Sequence, residues 1–452
     1  MKLLRVNLLR IVGCTALGMV ALLLAAGAGR MALAKDDKPA ANVADQQNSC
    51  ITCHGDPDIW EGDRLKYHVT EKQLSTDIHW QKGLHCQDCH GGDPTKEELK
   101  DAHDLSGAGL RSIKAVDIPV FCGQCHGNIE YMKRHNPSLR TDQLTEYWTS
   151  GHGQHLKKGD TGVATCISCH SHHGIRAVAD LESPVYRTHV AETCSKCHSD
   201  EKLMAGRMYH DKPMPHNQYE LWKKSVHAEA MFKKGDVSAA TCNNCHGNHG
   251  AVPPQIDSVA NACGACHGKI ASLFAQTQMR HKFETVGLPG CATCHSNHNI
   301  GHPSDVMLGM EEGAVCAKCH TAGKFGAPLA GAEVARAMRK QFEDFKDLIK
   351  DAKEKVAEAE TKGMEVSGPR FDLHKATDIL TKTRVLVHSF KLEPVKESLI
   401  EGTKVATEVR DNAQKALEEY RNRRVWLGTS LLPIVLVIGV LLLYIRQLPK
   451  SA

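Results

Sequence analysis

The pattern Cys-x-x-Cys-His occurs nine times between Cys50 and His320, and this constrains the chain more than any other feature. The cysteine pairs are Cys50 and Cys53, Cys86 and Cys89, Cys122 and Cys125, Cys166 and Cys169, Cys194 and Cys197. Four more follow: Cys242 and Cys245, Cys263 and Cys266, Cys291 and Cys294, Cys316 and Cys319. Their histidines are His54, His90, His126, His170, His198, His246, His267, His295 and His320. Of 19 cysteines only Cys14 stands outside the pattern, whereas chance would supply roughly 0.05 copies. A zinc ribbon pairs its Cys-x-x-Cys units and needs no histidine after each, and a thioredoxin-type site occurs once within a βαβ pattern. Two thiols that bond one porphyrin edge, followed by an imidazole that reaches the metal, require this spacing. The pattern predicts nine covalently bound c-type haems, each iron ligated by its motif histidine.

The attachment region spans residues 50–328, about 30 residues per site, which is too little for a conventional core around each. Aromatic residues make up only 5%. The expected fold is mainly α, with short helices and loops packed round porphyrins that supply much of the buried apolar surface. An internal repeat runs through it. Tyr147-Trp148-Thr149-Ser150-Gly151-His152 leads through Gly159-Asp160 to Cys166, and Leu221 to His227 leads through Gly235-Asp236 to Cys242. A histidine recurs three residues after the motif histidine at His173, His249 and His298. Plainer sites follow at Cys194, Cys263 and Cys316, so the unit reads as a two-site module repeated about four times, with the Cys50 site in front.

The 28 histidines exceed the eighteen that nine doubly ligated irons would use. Repeat position nominates His152, His227, His173, His249 and His298 as second axial ligands, then His135, His210 and His281 at the ends of segments after plain sites, with His68 in that part after the Cys50 site. A lower tier holds His79, His85, His103, His155, His172, His189, His216 and His302. His374 and His388, fourteen residues apart on a helical segment, read as ordinary surface histidines. Two imidazoles give a saturated iron suited to electron transfer, whereas an open position is what substrate chemistry requires.

Around this region the chain divides into a signal peptide at 1–34, a linker at 35–49, a helical hairpin or bundle at 329–424, a transmembrane helix at 425–445 and a cytoplasmic tail at 446–452. The signal peptide has a basic start, an apolar run from Ile11 to Ala26 and Ala32-Leu33-Ala34 for cleavage. An uncleaved anchor is the alternative, and a lipoprotein box at Cys14 is disfavoured because the apolar run follows it. Val334, Met338, Phe342, Phe345, Leu348, Ala352, Val356 and Ala359 form an amphipathic stripe, which Gly363 and Gly368-Pro369 interrupt. Further helical segments run from about Phe371 to Phe390 and from Pro394 to Arg424. Trp426 to Ile445 carries no charge and is long enough to cross a bilayer. Export of the preceding residues places the haem region on the periplasmic side of the cytoplasmic membrane, although Arg421, Arg423 and Arg424 lean slightly against it. The net charge of +4 comes from Lys2, Arg5, Arg10 and Arg30; the rest of the chain holds 52 charges of each sign, which gives no case for nucleic acid.

The nine motifs and their paired rhythm make the chain similar to the multihaem c-type cytochromes, a superfamily of small tetrahaem carriers, pentahaem nitrite reductase and octahaem hydroxylamine oxidoreductase. The resemblance implies a multihaem cytochrome c fold and electron transfer. The nitrite reductases mark their catalytic haem with lysine in place of the motif histidine, and all nine motifs here keep histidine. The hydroxylamine enzymes use a tyrosine crosslinked to the active-site haem, and no motif singles out one of the tyrosines here. The membrane-bound quinol-oxidising members are anchored at the N-terminus, in contrast to the C-terminal segment here, so no substrate carries over. The expected function is electron transfer between a membrane-embedded quinone-linked oxidoreductase and an exported cytochrome or terminal reductase, with the lipid bilayer as a further partner. The alternative is a multihaem oxidoreductase acting on a small nitrogen or sulfur compound at one open haem.

Overall fold

A computed structural model describes residues 48–104, 113–209, 211–255, 259–321 and 323–448. The signal peptide, all but the last two residues of the linker, and His210 lie outside the described residues. Among the described residues the regular structure is helical apart from one antiparallel pair, Met208–Tyr209 with Lys212–Pro213, and loops connect the short helices. It divides into two compact units, and the division runs through the attachment region.

The first unit takes the residues up to Asp117 together with Cys166–Ser183. Its motif helices are one or two turns long: Ser49–His54, Cys86–His90 and Cys166–His170. Helices this short do not persist alone and need fixed ends. Asn48 accepts from the Cys50 amide, and Thr70 and Gln73 form a capping box on Glu71–Thr76. Leu74 and Trp80 bury against Ile51, Val69 and Cys86. Asp77 caps the next helix through the His79 amide, and its second oxygen accepts from the Ile175 amide at 2.9 Å. Burial pushes its carboxyl up, but the His79 side chain, 3.3 Å away, and the two amides together hold it below the usual range.

The second unit holds Ile118–Thr165 and everything from Pro184. Here the sequence repeat becomes a structural one. Ser150 and Ser225, both buried, cap the helices Gly151–Lys157 and Val226–Lys234 through the amides of Gly153 and Ala228. Three residues before each serine an aromatic side chain points inward. Tyr147 Oη donates to the Ala164 carbonyl at 2.9 Å, and Trp222 Nε1 donates to the Ala240 carbonyl at 3.1 Å. Both carbonyls stand two residues before a motif cysteine. The repeat therefore equates Trp222 with Tyr147, and not with Trp148. His152 and His227 follow their capping serines by two residues, so the cap sets where each ring points.

After the last motif come three long helices: α1 (Ala330–Thr361), α2 (Ser367–Leu386) and α3 (Leu392–Gln447). The predicted stripe is the buried face of α1, with Met338, Phe342, Phe345, Ala352, Val356 and Ala359 inside. Met338, Phe342 and Phe345 pack with Ala376 and Leu380 of α2 and Val395, Leu399 and Ala406 of α3. Ala352, Val356 and Ala359 pack with Val366, Val409 and Ala413. These two layers make α1 and α3 parallel, with α2 running back between their ends. The bundle thus leaves the attachment region, returns to it and leaves again. Gly368-Pro369 does not interrupt a helix but lies in the first turn of α2, where proline costs no hydrogen bond. Helix α3 continues without a break from the bundle into the apolar segment, although it contains Pro433.

Gly402 marks a close approach of all three bundle helices: a Cβ there would stand 2.5 Å from Phe345 Cζ and 2.9 Å from Ile379 Cγ2. A helical glycine sacrifices about 1 kcal/mol of propensity, so the close packing outweighs that loss. Gly402→Leu is expected to destabilise the bundle by about 3 kcal/mol or more, read as a lower urea midpoint by circular dichroism. An unchanged midpoint would show that α1 and α3 can separate without cost.

Candidate haem sites

Each motif histidine closes a short helix or the turn after one, and this places it beside its two cysteines. What lies across from those rings is set by tertiary structure. In the first unit His54 faces His103 with ring centres 6.1 Å apart, and His90 faces His173 at 6.0 Å. In the second unit His198 faces His152 at 6.0 Å, His267 faces His227 at 6.4 Å, and His246 faces His298 at 6.0 Å. His295 faces His388 at 6.1 Å. A metal–imidazole nitrogen bond is about 2.0 Å and that nitrogen lies about 1.2 Å from its ring centre, so two imidazoles on opposite sides of one iron stand about 6.4 Å apart. The six separations fit an iron between the rings.

Second partners orient several of these rings. His54 Nδ1 meets the Tyr67 carbonyl at 2.8 Å, His103 Nδ1 the Leu99 carbonyl at 2.8 Å and His246 Nδ1 the Val252 carbonyl at 3.3 Å. His320 Nδ1 meets the Pro328 carbonyl at 2.8 Å, and His388 Nδ1 the Val385 carbonyl at 3.1 Å. A carbonyl can only accept, so Nδ1 keeps the proton and Nε2 is left with the lone pair a metal needs. Burial acts in the same direction. It brings His152 and His173 down to about 4, and lowers His90, His198, His227, His246, His295 and His298, which leaves neutral imidazoles at neutral pH.

Of the repeat-nominated histidines, His152, His173, His227 and His298 each stand across from a motif histidine. The partner belongs to a different stretch of chain: His173 follows the Cys166 motif but faces His90, and His298 follows the Cys291 motif but faces His246. His249, half-buried, lies 3.8 Å from Glu146 Oε2. His68 ends the 3-10 helix Gly62–Tyr67 with its Nε2 3.4 Å from the Gly55 carbonyl, and the ring across from His54 is His103, from the lower tier. His135 is exposed and stacks on Tyr131, and His281 is 88% exposed beside Glu284. In both cases the helix turns that position outward. His126 and His170 are half-buried at the ends of Ile118–His126 and Cys166–His170. The reading of His388 as a surface residue needs correction: it is half-buried against His295, whereas His374 is exposed. No local signal marked His103 or His388, since neither lies at a repeated offset from a motif.

The motifs also touch one another. Cys50 and Cys86 hydrogen-bond side chain to side chain in the first unit. In the second, Cys194 bonds Cys242 and Cys263 bonds Cys291. Cys245 lies within electrostatic reach of Cys266, and Cys294 of Cys316 and Cys319. Proximity thus links five successive motifs, from Cys194 to Cys316, within the second unit. Two of the expected modules, Cys242 with Cys263 and Cys291 with Cys316, fall within it, whereas Cys166 and Cys194 belong to different units.

The cytochrome c3 family profile matches residues 78–183 and 234–321. These two blocks include seven of the nine motifs. The multiheme cytochrome MtrA of Shewanella baltica (strain OS185) is 22% identical over 271 residues, which cover 57% of this chain and 70% of that protein. The chain is a multihaem c-type cytochrome. No solved structure matches it significantly. Membership implies covalently bound c-type haems, and the ring spacings and tautomers of this cytochrome suit them.

Proposed function

We propose that this cytochrome carries nine haems and transfers electrons, as a membrane-tethered exported protein, between a quinone-linked membrane partner and an exported acceptor. The observation that carries this reading is the set of six histidine pairs at iron-spanning distance, together with the proximity of five successive motifs. The bound haems supply one-electron redox chemistry. The chain's own residues hold two imidazoles in place, keep His90, His152, His173, His198, His227, His246, His295 and His298 neutral through burial, and set neighbouring attachment points near one another. His54, His90, His198, His246, His267 and His295 serve as motif-side ligands, and His103, His173, His152, His298 and His227 as the opposite ligands of the first five.

The C-terminal segment supports the tether. Helix α3 is long and apolar enough to cross a membrane, and its apolar span is unburied. Trp426 is 74% exposed and Leu432 69%. A soluble protein would not present so long an apolar surface to water. The tether also bears on the donor. From Leu392 to Trp426 the helix rises about 50 Å at 1.5 Å per residue, and no attachment motif lies on this stretch. Electron tunnelling decays exponentially with distance, so a quinone-linked partner that serves the haem sites beside the bundle would bring its own redox centre up to them.

Two measurements on the purified protein test this. Intact mass is expected to show nine haems, and ferric spectra are expected to be low-spin at the paired sites, with no response to nitrite, hydroxylamine or sulfite. Fewer haems would break the count. A high-spin haem that binds one of those compounds would favour catalysis at an open site over pure conduction.

A further inference from the structure

We propose that His388, on the helical bundle, is the second axial ligand of the haem attached through Cys291 and Cys294, so that the metal itself joins the bundle to the attachment region. The proposal rests on the reading that each motif carries haem. Its geometry is independent of the repeats. The His388 ring centre lies 6.1 Å from that of His295, with the ring planes 24° apart, a spacing shared with the five other pairs. Its Nδ1 is taken by the Val385 carbonyl, which leaves Nε2 as the ligating nitrogen.

The surroundings are built to hold that ring. His388 sits in the 3-10 turn Val387–Ser389 between α2 and α3, and this turn ends at Phe390 with φ 53°. A bulky residue in the left-handed region persists only where its neighbours impose it. Phe390 packs edge-on against Phe274, on the helix Gly268–Ala275 that follows the Cys263 motif. One turn before His388, Arg384 donates through Nε and a terminal nitrogen to the two oxygens of Asp305, both at 3.0 Å. Lys346 of α1 reaches the same carboxylate at 3.0 Å. Asp305 is 7% exposed and lies between His302 and the Cys316 motif, so a buried carboxylate clamps two bundle helices beside the site. The two cations hold its carboxyl below the usual range against the opposing effect of burial. A histidine left on a bundle surface by chance would need neither the clamp nor the strained turn.

The bundle would then be more than a spacer. A haem whose second ligand sits on it becomes six-coordinate only when the bundle is docked, so any force that lifts the bundle opens that iron.

The test uses the full-length haem-loaded protein in detergent. His388→Ala is expected to convert one haem equivalent from low-spin to high-spin in ferric electron paramagnetic resonance, and added imidazole should restore it. His388→Met is expected to keep that haem six-coordinate and raise its potential, because thioether ligation favours the reduced state. His298→Ala should convert a different single haem, and His374→Ala none. If His298→Ala converts one haem while His388→Ala leaves every haem low-spin, the assignment of His388 is wrong and the general pairing stands. If neither converts a haem, the pairing itself has failed. Should His388→Ala lose haem altogether, His388→Met decides: an unaltered bis-histidine spectrum overturns the proposal, and a methionine-ligated haem supports it.

Discussion

Replacing Cys291 and Cys294 with serine is expected to remove one haem and to break conduction between the seventh and ninth motifs of the chain, at Cys263 and Cys316. The Cys291 motif adjoins both of its neighbours in sequence: Cys291 bonds Cys263, and Cys294 lies near Cys316 and Cys319. Without the thioether bonds, His295 and His388 alone would have to hold the porphyrin, and ligation of that kind is reversible. Electrons would then have to cross directly between the two neighbouring sites. Because tunnelling decays exponentially with distance, equilibration of electrons across these motifs should slow by orders of magnitude, while the remaining haems keep their spectra. Intact mass gives the haem count, and stopped-flow reduction followed at several potentials gives the internal rate. An unchanged rate would mean that electrons bypass this site, and that contact between motifs does not mark the route.

A chain that ends at Arg424 is expected to leave the membrane fraction and remain soluble without detergent. The last residues of α3 packed in the bundle are near Ala416 and Leu417, and the continuous exposed apolar run starts at Val425. Moving a large apolar side chain out of water is worth about 1.5–3 kcal/mol, so the segment contributes tens of kcal/mol toward the bilayer. Nothing in the bundle core depends on it, and the haem spectrum should be the same in the truncated form. Fractionation and a visible spectrum suffice. If the truncated chain still pellets with membranes, the N-terminal segment is the anchor.

Much of this was readable from residue order because attachment chemistry is local. The two cysteines and the histidine lie within five residues, and one helical turn presents all three. The bundle stripe was readable for a similar reason: Met338, Phe342, Phe345, Ala352, Val356 and Ala359 share a face by helical period alone. The caps at Ser150 and Ser225 explain why repeat position located His152 and His227, since each ring is aimed by a hydrogen bond two residues away.

The opposite ligands are another matter. His103 lies 49 residues from His54, and His388 lies 93 from His295. Nothing in either neighbourhood differs from that of a surface histidine. By offset His68 is the nearer candidate, yet the Tyr67 carbonyl beside it orients His54, and His103 takes the place across from the ring. The order of the motifs was likewise hidden, because it depends on which loops return beside which. Residue order alone determined the cofactor chemistry, the helical class and an apolar C-terminal segment long enough to cross a membrane. Tertiary structure alone decided which histidines face one another, how the sites line up, and that a bundle helix ends against a haem site. The reason is physical: covalent attachment is set by neighbours in the chain, whereas axial pairing is set by neighbours in space.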